Sequence, residues 1–425
     1  MGDNFHGSFR MVIKSDLRQV IYALSDALDL VGVDDVAHGK RVGVMAAECA
    51  KIMGMPPEEV LFLFDIGLLH DIGVSTTTTH QHLVSEFDWE GSQSHALMGH
   101  DLLKDFPPLA RMALPIKYHH TRWDIMQSRG VSEKVALQAN LILLVDRVDA
   151  LAAPYYSSGK VLQHRKVIWQ EIIARESTYF SPALVEAFLA ISKHEAFWLQ
   201  LETAALTSYL NTVLAIAKPY EASNAELLQL AAIFARIVDA KSTFTYTHSQ
   251  GVAKVARRLA ELLGLSDERC DMLEIAALLH DLGKLRVPDE ILDKPAILDE
   301  DERLVMNTHS FETMLILNKI KGFEEIVAWA ASHHEAPGRS GYPYGLESTE
   351  LPLEARILRV ADIFQAMVQD RPYRKGLSKD AVADFMQQLQ ANGRIEAMIG
   401  DVLNANLDEM IVKARLHETE SPLIS

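Results

Sequence analysis

Cysteine is nearly absent: the 425 residues contain two, Cys49 and Cys270, far apart and each in an apolar, helix-like stretch. Two distant thiols make neither a disulfide framework nor a thiolate metal site, and they fit a reducing compartment. Long apolar runs are missing too. No stretch of about 18 uncharged apolar residues occurs, so no spanning helix is expected. The opening MGDNFHGSFRMVIKSD has no apolar signal core and no Ser or Thr at the sixth position for myristoylation. A cytoplasmic location without membrane attachment is therefore expected. Positive charge is in deficit, with a formal net charge of −17. That excludes broad binding to DNA or RNA duplexes or to acidic membranes, which needs a basic surface. An anionic substrate would require local positive potential, from bound metal ions and a few placed Lys or Arg. Convincing period-2 alternation is also lacking, which argues against a sheet.

What is present is helical. Hydrophobic residues at 48% and charged residues at 23% describe an ordinary globular chain, long enough for two or three domains. The stretches 15–31, 225–241 and 251–265 carry apolar residues at i, i+3, i+4 and i+7. Ser15 and Ser266 stand where N-caps belong. The fold class expected is all-α. A polar, proline-containing seam, AKPYEASNAE at 217–226, separates two long helical patterns. It suggests domains at 1–217 and 226–425 joined by a linker at 218–225.

The two halves repeat one another. The first holds His38, His70, Asp71, His95, His119, His120 and Asp146; the second holds His248, His280, Asp281, His309, His333, His334 and Asp362. The step from first His to His-Asp pair is 32 residues in both halves, and the step from lone His to His-His doublet is 24 in both. A single His-Asp pair is mostly chance, His309 alone reads as a helix-surface residue, and Asp362 alone as a cap or ion-pair partner. Seven positions recurring in one order indicate a tandem duplication of one His- and Asp-rich helical domain.

Each copy offers nitrogen and oxygen ligands without thiolate, which suits Fe, Mn, Zn or Co. Seven ligands exceed the four of a structural tetrahedral ion. They suit two ions about 3.5–4 Å apart, with a carboxylate and a water between them. Asp281 is the natural bridge, since His280 beside it holds one ion while its two oxygens span both. Such a pair activates water and clamps the oxygens of a phosphoryl group, so the expected chemistry is hydrolysis of a phosphoester.

The second half also resembles a known family, the HD-GYP phosphodiesterases of the HD metal-dependent phosphohydrolase superfamily. The resemblance is carried by KSTFTYTHS, HDLGKLRVPDEILDKPAILDEDE, THS, HHEAPGRSGYPYGL and ADIFQAMVQDRPYRKGLS, and covers about residues 222–415. It implies a helical bundle with two divalent ions, Fe or Mn, and hydrolysis of cyclic di-GMP or 3′,3′-cyclic GMP-AMP to a linear dinucleotide with a 5′ phosphate. One ion would lie among His248, His280, Asp281 and Asp362, the other among Asp281, His309, His333 and His334. Lys284 resembles the lysine that contacts the scissile phosphate. Gly341, Tyr342 and Pro343 would frame the substrate entrance, with Arg339 an added cation at that loop. Arg371 and Arg374 resemble the cations that grip the substrate's other phosphate or base. A homodimer, or a diguanylate-cyclase-type protein, is the expected protein partner.

Departures mark the two halves as different. Phe244 stands where three-metal members carry Glu, so two ions are expected in the second half. Gly338-Arg339 replaces the usual Asp-Gly, Thr313 a frequent Gly, and Gln365 a frequent Asp. The first half keeps all seven ligand positions but has Val74 in the place of Lys284, lacks Gly-Tyr-Pro, and carries Asp34 four residues before His38. It resembles a general HD domain, expected to serve as a second phosphohydrolase (a 5′-nucleotidase) or as a regulatory module. The tandem arrangement is similar to that of cyclic GMP-AMP phosphodiesterases. The rival readings are a non-catalytic cyclic dinucleotide receptor and a nucleotidase restricted to linear nucleotides.

Overall fold

A computed structural model describes residues 13–32, 37–85, 87, 91–242, 247–370 and 375–415. Asp34, Phe244, Arg371 and Arg374 lie outside the described residues. Among those described, 22 α-helices and no strand occur. The chain divides into two compact units, Ile21–Pro219 and a second formed by Tyr220–Ser425 with Met1–Val20.

Twelve helices matter for the candidate sites, six in each half of the sequence. They are α1 (Leu17–Asp29), α2 (His38–Ile52), α3 (Pro57–Leu69), α4 (Ser92–Leu103), α5 (Ala113–Tyr118) and α6 (Glu133–Tyr156), then α7 (Asn224–Lys241), α8 (His248–Leu262), α9 (Asp267–Leu279), α10 (Glu300–Leu317), α11 (Glu324–Ala331) and α12 (Leu353–Val368). Within the first unit α2 packs along α3 and reaches α6; within the second, α8 packs along α9 and α12. Fully buried residues such as Val42, Met45, Leu63 and Phe64 in one unit, and Val252, Leu259, Leu273 and Phe364 in the other, fill the seams. Their burial is the main favourable term holding the helices together.

The ends of these helices are set by side chains. Ser223 and Glu226 form a capping box at α7, and Ser266 accepts from the Arg269 N–H at α9. Ser15 is not a cap. Its hydroxyl donates to the Lys321 carbonyl at 2.8 Å, while the neighbouring Asp16 carboxylate accepts from the Arg18 N–H at 3.2 Å. The Leu17 N–H donates to the Tyr220 carbonyl and the Ala222 N–H to the Ser15 carbonyl, which ties this early segment to the second unit.

The helices that begin with a ligand candidate are capped from outside. Asp29, the last residue of α1, accepts from the Gly39 N–H at 3.1 Å. Asp239, in the last turn of α7, accepts from the Ser249 N–H at 3.0 Å and from its hydroxyl at 2.7 Å. Each carboxylate sits nine residues before the first histidine of its set and satisfies donors that a helix N-terminus leaves open.

Candidate metal centres

The seven positions fall on equivalent places in the two units. His38 and His248 open α2 and α8; His70-Asp71 and His280-Asp281 directly follow α3 and α9. His95 and His309 lie within α4 and α10, the doublets follow α5 and α11, and Asp146 and Asp362 lie within α6 and α12. Gly73 and Gly283 let the chain turn away after the His-Asp pair. A Cβ on Gly73 would stand 2.0 Å from the His95 carbonyl oxygen, and one on Gly283 2.1 Å from that of His309. No side chain fits there, so glycine is what lets the pair face the next helix.

The structure brings all fourteen side chains into two clusters. In the second unit the Asp281 carboxylate is split between two groups: Oδ2 lies 3.2 Å from His280 Nε2 and 3.9 Å from His248 Nε2, whereas Oδ1 lies 3.5 Å from His309 Nε2 and 3.8 Å from His333 Nε2. His248 Nε2 also lies 3.2 Å from Asp362, and His334 groups with His309 and His333. The first unit repeats the arrangement. Asp71 Oδ2 lies 3.4 Å from His70 and 3.8 Å from His38, while Oδ1 lies 3.2 Å from His95 and 3.8 Å from His119. Asp146 lies 3.3 Å from His38, and His120 joins Asp71, His95 and His119.

Ring orientation suits metal binding. The Nδ1 of His70, His119, His280, His309 and His333 each meets the carbonyl three residues earlier, at 2.8, 2.6, 2.7, 2.7 and 2.6 Å. A carbonyl only accepts, so Nδ1 carries the proton and Nε2 turns its lone pair inward. Burial, reinforced by neighbouring imidazoles, holds His333 well below the usual histidine range, and burial does most to bring His309 down to about 4. His309 and His333 are therefore neutral at neutral pH, the form in which an imidazole can take a metal ion. Burial opposes ionisation of Asp281 and Asp71, yet the neighbouring charges, His280 and Lys284 for one and His70 for the other, hold both well below the usual carboxylate range.

The residues present fit divalent ions. The buried Oδ1 atoms of Asp71 and Asp281 and the Nε2 of His120 have no hydrogen-bond partner, although such orphans are rare in folded proteins. A cavity of about 20 Å³ opens beside His38, His70, Asp71, Val74 and His80, room for an ion or a water. The ligand atoms within each group lie within 4.8 Å of one another.

The candidate substrate residues separate. Lys284 Nζ lies 2.6 Å from Asp281 Oδ2, inside the cluster, whereas the Arg339 guanidinium is exposed and paired with Glu347 at 2.7 Å on the same loop. Gly341 lies against the doublet's own backbone, where a Cβ would meet the His334 carbonyl oxygen at 2.5 Å. Tyr342 lies over the His334 ring with centroids 4.7 Å apart, and its bond to Pro343 is cis. Four residues escape a reading of the sequence. Glu335 accepts from the N–H groups of Tyr344, Gly345 and Leu346 at 2.6, 3.1 and 2.9 Å, and so holds the loop onto the doublet. Arg359 donates to the His334 carbonyl at 3.1 Å. Arg147 lies 2.9 Å from Asp146 Oδ2, and Asp149 lies 2.8 Å from His38 Nδ1. Superimposing the two repeats in register would have flagged Asp149, three residues after its ligand carboxylate as Gln365 is after Asp362.

Two clusters of His and Asp on matching helical frames form tandem candidate metal centres of the HD type. Residues 36–153 and 232–399 each match an HD domain family. The chain is 36% identical over 413 residues, 96% of its own length and 95% of the relative's, to 3′3′-cGAMP-specific phosphodiesterase 1 of Vibrio cholerae serotype O1. It is 40% identical over 156 residues, 36% of this chain and 41% of the other, to the cyclic di-GMP phosphodiesterase response regulator RpfG of Xanthomonas campestris pv. campestris. The crystal structure of a V. cholerae cyclic GMP-AMP specific phosphodiesterase (V-cGAP3) superposes with a TM-score of 0.63 at 26% identity, covering 93% of this chain and 98% of that one. The chain belongs to the HD-domain phosphodiesterase family. Among the described residues, no helix is long and apolar enough to cross a membrane.

Proposed function

We propose that this chain opens a cyclic dinucleotide, with 3′,3′-cyclic GMP-AMP preferred over cyclic di-GMP. The observation that carries the reading is the similarity to a 3′3′-cGAMP-specific phosphodiesterase across both halves of the chain. Water adds across one P–O3′ bond, leaving a 5′ phosphate and a free 3′ hydroxyl on a linear dinucleotide.

The second unit performs this step. His248, His280, Asp281, His309, His333, His334 and Asp362 would hold two divalent ions, Fe or Mn, which when bound supply an activated water and offset phosphoryl charge. Lys284, itself held by Asp281, places its ammonium where charge builds on the phosphate oxygens. Burial opposes that charge, but the carboxylates of Asp281 and Asp362 outweigh it and keep the amine protonated. Tyr342 offers a ring for a base to stack on, and Glu335 keeps that ring over the doublet. Gly341, Pro343 and Arg339 shape the mouth of the same loop.

The first unit's sequence lacks Gly-Tyr-Pro and carries Val74 in place of the lysine. Its ligand set, His38, His70, Asp71, His95, His119, His120 and Asp146, fits removal of the 5′ phosphate from the linear product, a smaller task than admitting a ring.

The test is chromatography of products from both cyclic dinucleotides, using protein purified without oxygen in the presence of Mn. Asp281→Ala should slow ring opening by about a thousandfold or more, since several kcal/mol of charge stabilisation are lost. Asp71→Ala should leave ring opening intact and stop only the later release of phosphate. If metal-loaded wild type opens neither ring, the phosphodiesterase reading fails.

A further inference from the structure

The two centres share their ligand pattern but differ in what stands behind the first histidine. In the first unit, His38 Nδ1 meets the Asp149 carboxylate at 2.8 Å. Asp149 is in turn fixed by Arg41 through Nε at 2.7 Å and a terminal nitrogen at 2.9 Å, and by the Tyr156 hydroxyl at 2.6 Å. All of Asp149 is buried.

In register, Arg41 corresponds to Gly251 and Asp149 to Gln365. This is a coupled exchange. Glycine leaves room, and the longer Gln365 side chain lies across it, so close that a Cβ on Gly251 would stand 2.3 Å from the Gln365 amide carbon. Gln365 turns its Nε2 to the Ala414 carbonyl at 3.2 Å. His248 Nδ1 is left with a neutral acceptor, Gln369 Oε1, at 3.4 Å.

A carboxylate accepting the imidazole N–H makes the other ring nitrogen a stronger donor, and losing such a partner typically costs about 10–100-fold in metal affinity. Arg41 takes up part of the Asp149 charge, yet His38 keeps a carboxylate at 2.8 Å where His248 has an amide oxygen at 3.4 Å. Each centre also has a cation on a ligand carboxylate, Arg147 on Asp146 and Lys284 on Asp281. The lysine sits on the carboxylate that faces both histidine groups, so it opposes a cation in the second centre more directly.

We propose that Asp149 is a positioning residue that makes the N-terminal centre the tight metal site, leaving the C-terminal centre, which has Gln365, as the one that loads and unloads its ions. This rests on the reading that both centres hold divalent ions. It implies that a fall in metal supply stops ring opening first, while the N-terminal centre stays loaded.

The experiment uses the full chain with Mn. Asp281→Ala isolates the N-terminal centre and Asp71→Ala the C-terminal one, and bound Mn is counted by atomic emission against a graded chelator. The N-terminal centre should keep its Mn to free concentrations at least about tenfold lower. Adding Asp149→Asn to the Asp281→Ala chain should weaken retention about 10–100-fold. In the Asp71→Ala chain, joint Gly251→Arg and Gln365→Asp should strengthen it. Equal midpoints for the two centres overturn the proposal, and they do so even where Asp149→Asn fails to fold. Unchanged retention in a folded Asp149→Asn protein overturns it as well. Absence of Mn from both single variants would instead sink the metal reading itself, and this ordering with it.

Discussion

Glu335 shows how much a single buried carboxylate can organise. It follows the His-His doublet directly and takes three backbone N–H groups from the loop that carries Tyr342. Those donors are accessible to water in an unfolded chain, and only an acceptor with two oxygens can serve all three once they are covered. Glu335→Gln keeps the shape but turns an NH2 toward at least one N–H. The expected cost is about 1–3 kcal/mol, read as a lower melting temperature of the second unit. KM for the cyclic substrate should rise while bound metal is unchanged, because no ligand atom has been touched. A rise in KM accompanied by metal loss would show that Glu335 braces the doublet as well as the loop. The fourteen clustered positions were legible in the sequence because duplication repeats them in one order with matching spacings. The roles of Glu335 and Asp149 were not, since their partners are backbone amides and a ring nitrogen brought near only by folding.

At the scale of elements, the seam between the His-Asp turn and the next helix decides whether a centre can form. Glycine at 73 and 283 was visible in the sequence, yet nothing there gave the reason: the carbonyl of His95 or His309 occupies the space a side chain would need. Gly283→Ala should therefore push α10 outward, moving the one helix that supplies His309 while α9 and its Asp281 stay behind. Overpacking of this kind costs about 1–3 kcal/mol. The sharper consequence is loss of metal from the second centre, read by metal count in the Asp71→Ala background, with the first unaffected, read in the Asp281→Ala background. Gly73→Ala should do the reverse. Helix existence was readable from apolar spacing, but capping was less so. The sequence pointed to Ser266, which does cap α9, and to Ser15, which does not, because Ser15 is engaged by Lys321 far along the chain. The outside caps Asp29 and Asp239 lie on preceding helices, beyond what a local pattern can reveal.

Duplication is the property of the whole molecule, and its thermodynamic consequence can be separated from its chemistry. Each unit carries its own core and its own cluster of buried carboxylates and imidazoles, so an ion that binds only the folded cluster stabilises the unit that contains it. At a free concentration a hundred times Kd that gain is about 2.7 kcal/mol. Without metal, each cluster instead crowds buried charges and orphaned ligand atoms together, which opposes folding. Calorimetry of the full chain with and without Mn should therefore show metal-dependent unfolding in both units for wild type. Asp71→Ala should remove the shift assigned to the first unit and Asp281→Ala that of the second. A limited-proteolysis time course would assign each transition to its unit. If Asp71→Ala abolished every metal-dependent shift, the second cluster would not be an independent site, and the equivalence of the two sets would be geometric only. The sequence disclosed the equivalence through spacings of 32 and 24 residues common to both halves. It could not disclose that residues 15–17 pair with the second unit, because their partners, Lys321, Tyr220 and Ala222, lie far along the chain and are brought near only by folding.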